Sequence, residues 1–127
     1  MIKEEALYDV HQNHVEWQNK LKFYNDEIKI FNKRLEEIVS KNTSKDVLSE
    51  VEKYQNQFIV QNNNIDEIAH IITLDEEELQ NEVKSNPIAV DHRKVGDHSK
   101  QKDLVETFEK NFNEIRSEFN TFSAKWM

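Results

Sequence analysis

The chain of 127 residues contains no cysteine, one glycine and one proline. Without cysteine it can form no disulfide, no thiolate metal site and no cysteine nucleophile, and its redox compartment is left unmarked. A single Gly and a single Pro cannot punctuate a series of strands, and β-branched runs are missing as well, which excludes sheet and Rossmann-type architectures. No Gly-rich loop is present to cradle a phosphate, so a nucleotide- or phosphate-processing enzyme is not expected. Long apolar runs are missing too: nothing approaches the ~20 apolar residues of a membrane span, and MIKEEALYDV at the start has no signal-peptide core. Positive charge is the scarcer sign, 17 Lys and Arg against 25 Asp and Glu, for a net charge of −8. Duplex nucleic acid and anionic membranes are bound through an excess of Lys and Arg, so neither is an expected partner. The expected location is cytoplasmic.

What the chain does contain is a sustained helical period. From Leu7 the apolar positions run Val10, His14, Trp17, Leu21, Tyr24, Ile28, Phe31, Leu35 and Ile38 in alternating steps of three and four, the seam of a coiled coil. SKNTSKD (40–46) interrupts it, with Thr43 or Ser44 as the next N-cap. A second seam follows: Val47, Val51, Tyr54, Phe58, Gln61, Ile65, Ile68, Ile72, Asp75, Leu79. SNP (85–87) ends it, with Asn86 as N-cap and Pro87 at the first position of a third helix, or with that helix starting near Asp97, since the seam is ambiguous around Gly96. The third seam is clear over Val105, Phe108, Phe112, Ile115, Phe119, Phe122 and Trp126, and extends backwards through Gln101 and His98. These patterns predict an all-α, elongated, up-down-up three-helix bundle with left-handed packing. Its helices run over roughly 3–41, 44–84 and 87–126 in one domain, 1–127.

The bundle so built has two unlike ends. In the bottom half, toward the first turn, Tyr24, Phe31, Leu35, Ile38, Val47, Val51, Tyr54, Phe58, Phe112, Phe119, Phe122 and Trp126 converge. All five histidines fall toward the opposite end, the top. Charge is uneven as well. Residues 42–86 hold three Lys against ten Asp and Glu, net −7, and five of those acids lie in LDEEELQNE, 74–82.

The helix register also sets levels. His14 lies eleven residues from Lys3, His98 eleven from Pro87, and Asp75 nine before Lys84. At 1.5 Å per residue all three sit about 14–17 Å from the top, all on seams. A His14–Asp75–His98 layer between three helices is therefore expected. Two imidazoles and a carboxylate suit zinc, iron or manganese, and His11 and Glu78, each one turn from a layer member, are candidate further ligands. Without metal, the same layer fixes helix register, as a buried Asn does in coiled coils. Two shorter spacings carry less. EIAH (67–70) has the ExxH spacing of ferritin-like di-iron proteins, which need a second copy and two further Glu, and the register turns His70 outward. HSKQKD (98–103) has the HxxxxD spacing of hemerythrin-like proteins, whose HxxxE and HxxxH partners are missing. His92 is expected on the surface.

Phe23, Ile30, Ile59 and Ile71 are apolar residues off the seams, where three-helix packing does not account for them. They give the first functional expectation: a non-enzymatic interaction or scaffold protein that binds a protein partner, or itself, through a helix face. The alternative is a metal-binding bundle with its site at the top. No catalytic constellation emerges.

Overall fold

The computed structural model describes the backbone of residues 2–85 and 91–127, and side chains over 8–81, 83–84 and 98–127. It is three long helices: α1 (Ile2–Lys41), α2 (Lys45–Ser85) and α3 (Asp91–Trp126). They pack up-down-up, each touching both others. At 40 residues α1 is about 60 Å long. No strand occurs among the described residues. Helix α3 is already formed at Asp91. The expected Asn86 cap and Pro87 first turn lie outside the described residues, as do the side chains of Leu7 and His92.

Local chemistry explains the turn between α1 and α2. The amide of Leu48 donates to the Ser44 carbonyl at 3.0 Å, the first turn of α2, which makes Ser44 rather than Thr43 the capping residue. Asn42 does more than turn the chain. Its Nδ2 donates to the Ile38 carbonyl at 2.9 Å and to the Trp126 carbonyl at 3.2 Å, so one side chain serves the C-terminal ends of both α1 and α3.

The seams become the core. Leu21, Ile28, Phe31, Leu35 and Ile38 of α1 are buried against Val47, Val51, Tyr54, Phe58, Ile65, Ile68 and Ile72 of α2. Val105, Phe108, Phe112, Phe119 and Phe122 of α3 close it. At the bottom the aromatic rings interlock across all three helices: Phe31 to Phe119 at 4.8 Å, Phe58 to Phe119 at 5.2 Å and Tyr54 to Phe122 at 5.0 Å between centroids. Such tilted and edge contacts add to the large area each ring removes from water. Ile115 and Trp126 sit half-buried at the margin of this core. On its flank the guanidinium of Arg116 joins α3 to α1. Its Nε donates to Glu27 Oε2 at 2.9 Å, and its plane lies 5.1 Å over Phe112 and 5.6 Å over Tyr24.

Toward the top the apolar core stops. Val10 and Leu79, with Val83 against them, form a small separate cluster. Between it and the main core lies a layer of buried polar side chains.

Candidate functional site

The layer is assembled by the seam positions that the apolar pattern left polar. His14 is almost fully buried, at 2% exposure, with Asp75 and Gln101 buried beside it. Its level is pinned from below by Gln18. The Nε2 of Gln18 donates to the Ala69 carbonyl and to Thr73 Oγ1, each at 3.0 Å, and so locks the antiparallel register of α1 on α2. One turn above Gln18, the His14 ring meets an oxygen on each side. Nδ1 is 2.8 Å from Glu76 Oε1. Nε2 is 3.0 Å from Gln101 Oε1 and 3.2 Å from Asp75 Oδ2.

Glu76 is the hub on the α2 side. Its Oε2 accepts from His11 Nδ1 at 2.9 Å and from Gln80 Nε2 at 2.7 Å, while Oε1 accepts from His14. Burial pushes its carboxyl up, but the hydrogen bonds from Gln80, His14 and His11 outweigh that and hold it below the ordinary carboxylate value. His98 sits on the α3 side, stacked on Trp17 at 5.0 Å, its ring centroid 6.5 Å from that of His14. Asn13 Nδ2 donates to His98 Nε2 at 3.1 Å. Burial, and then the neighbouring His14, push the His98 imidazole below its ordinary value, against the pull of Asp75. A neutral ring that accepts from Asn13 agrees with that direction.

The expected residues are thus brought together at one level: His14, Asp75 and His98, with His11 at the rim. Glu78 is exposed, and the carboxylate that faces the two histidines of α1 is Glu76. The reason is heptad position. Asp75 keeps the seam with Ile72 and Leu79, and Glu76 and Glu78 flank that seam on opposite sides, Glu76 on the side of α1. Gln101, named only as a continuation of the third seam, supplies the amide of the layer.

A groove of about 400 Å³ between α1 and α2, lined by His11, Gln18, Thr73 and Glu76 among others, gives solvent access to the Glu76 edge of the layer. Among the described residues no group of three or more His, Cys, Asp or Glu is arranged to hold a metal ion.

A second groove lies lower on the opposite side, between α2 and α3. It measures about 600 Å³, with Ile68 and Phe108 at its floor and Ile71 and Leu104 at its lips. The off-seam apolar residues singled out above, Phe23, Ile30, Ile59 and Ile71, are all exposed. No described helix is long and apolar enough to cross a membrane. Compared with protein-family models, with curated proteins and with solved structures, the chain matches none of them.

Proposed function

We propose that the chain is a non-enzymatic interaction or scaffold module of the cytoplasm, which engages a protein partner or a further copy of itself through a helix face. The observation that carries this reading is the exposure of Phe23, Ile30, Ile59 and Ile71, which the intramolecular core leaves in water. Exposed apolar side chains on helix faces, one of them (Ile71) at the lip of a groove with an apolar floor, are what docking to a helix requires. The polar layer serves this role indirectly, by holding three helices in one register so that the outer faces keep their geometry. The test replaces the four residues by Gln or Ser and measures thermal melting, self-association and co-isolated proteins. Melting should stay within a few degrees while association is lost. Unchanged association would sink the reading.

A second reading is that His14, Asp75 and His98, with His11, hold zinc, iron or manganese; as they stand they form no metal-holding group, so this reading requires their side chains to rearrange on binding. Elemental analysis of the untagged protein, before and after loading with each metal, decides it. Near-stoichiometric metal that disappears in His14→Ala/His98→Ala supports it, and no retained metal after any loading overturns it.

A further inference from the structure

The charge is not spread evenly around the bundle. Residues 20–34 of α1 carry five Lys and Arg against two acids, in a chain whose net charge is −8. Lys20 is committed to Glu109 of α3. Lys22, Lys29 and Lys33 are exposed, on the side of α1 away from the core, and Lys29 lies 3.9 Å from Asp26, the one exposed acid among them. Interleaved with them are Phe23 and Ile30, 60% and 52% exposed. Seven residues separate these two, so they stand one above the other, about 10.5 Å apart. The outer stripe of α1 is therefore apolar with a basic border.

The α2–α3 groove has the complementary character. Ile68 and Phe108 floor it, and Ile71 and Leu104 form exposed lips on either side. Glu67 and Asp103 stand on its rims, with Lys100 as the one cation among the lining residues. The α3 rim continues at helical spacing through Thr107 and Asn111 to Glu114 and Glu118. The α2 wall belongs to the segment of net charge −7. At the floor, Gln61 is buried with its Oε1 free of any donor among the described residues. That acceptor suits the amide or ammonium side chains that border Phe23 and Ile30.

From this pairing we propose that the α2–α3 groove receives the outer stripe of α1 from a second copy of the chain. Phe23 and Ile30 seat between Ile71 and Leu104, and the lysines face the acidic rims. This rests on the interaction-module reading above and names its partner. In a three-helix bundle the outer side of α1 lies opposite the α2–α3 groove. The contact is therefore heterologous, each copy offers one stripe and one groove, and association continues head to tail instead of stopping at a dimer. Two copies meeting α2 to α2 is disfavoured, because that juxtaposes the two most acidic surfaces.

The test uses the whole chain in sedimentation velocity over a wide concentration range. The average mass should climb past that of a dimer as concentration rises, and fall on adding salt, which screens the lysine–acid border. A stripe variant, Phe23→Glu/Ile30→Glu, and a groove variant, Ile71→Glu/Leu104→Glu, should each weaken self-association about tenfold or more, the effect of losing interface anchors. Both pairs are exposed, so circular dichroism should show folded helices in each. Mixing the two defective variants is decisive. The intact groove of one and the intact stripe of the other should restore a complex that stops at one copy of each. A chain that stays monomeric at every concentration, or variants that fail to complement when mixed, overturns the proposal. The interaction-module reading then survives only if the same substitutions abolish binding of a different protein. A dimer that never grows also overturns it, in favour of a symmetric contact.

Discussion

Near the α1–α2 turn, Phe31, Phe58 and Phe119 meet at 0–3% exposure and present one another only carbon. Seventeen residues up α1, about 25 Å away, the same three seams bring His14, Asp75 and Gln101 together, equally buried and wholly polar. Both layers are built from seam positions, and they differ in what holds them. Ring packing is non-directional and proportional to area, so the aromatic half supplies stability and tolerates small shifts of one helix along another. The polar layer depends on each donor meeting its acceptor, adds little net energy, and penalises every other register. One half holds the bundle together, and the other sets its alignment.

Several substitutions set these halves against each other. The largest effect should come from the aromatic half: Phe58→Ala or Phe119→Ala, at fully buried sites, should each cost about 3–5 kcal/mol in urea unfolding. A cost under ~1 kcal/mol would show that the bottom is loosely packed. Next, His14→Leu should cost about 3 kcal/mol, because it removes the buried ring that meets Glu76 Oε1 and Gln101 Oε1. Converting the layer wholesale, with His14→Leu, Asp75→Leu and Gln101→Leu together, should recover most of that loss. The price of an apolar layer should appear as looser alignment, seen as broadened or doubled amide resonances in α1. A triple variant as unstable as the single one would contradict the register role.

A pH series separates the halves without mutation. His98 has a folded pKa below the ordinary 6.5, so the unfolded chain takes up its proton first and stability falls as pH drops from 6.5 through the lowered value. Glu76, also lowered, contributes stability that is fully present above 4.5 and is lost as pH falls through its folded value. Urea midpoints should therefore decline in two steps on acidification, and His98→Gln should shrink the upper one. An upper step of undiminished size in that variant would remove His98 as its source. The smallest effect should come from the flank. Arg116→Lys keeps the charge but loses the forked contact to Glu27 and the stacking on Phe112, for about 0.5–1 kcal/mol.

The three seams were legible because heptad spacing and burial are two views of one helix geometry, and Leu21 through Phe122 obey it. The polar layer was legible for the same reason: His14, Asp75 and Gln101 occupy seam positions and inherit burial from register. What escaped depended on small angles and on tertiary partners. Glu76 replaced Glu78 because the two flank the seam on opposite sides, and a heptad alone does not say which side meets α1. Ser123 is buried off the seam, where a small side chain lets α3 lie close to its neighbours near Phe122. Asn42 looked like turn material, and its partner at Trp126 lies 84 residues away. The exposed faces of α1 and α2 could be named as unaccounted apolar residues, but the groove beside Ile71 exists only once α2 and α3 are set side by side.

The two layers are also joined by different lengths of chain. Phe31 and Phe58 are 27 residues apart across the α1–α2 turn, whereas His14 and Asp75 are 61 apart. Closing the longer loop costs more chain entropy, so the aromatic end of the α1–α2 hairpin is expected to meet first and the polar layer to check its alignment afterwards. In folding kinetics, Phe58→Ala should slow folding, whereas His14→Leu should mainly speed unfolding. The reverse pattern would mean that the polar layer nucleates the fold.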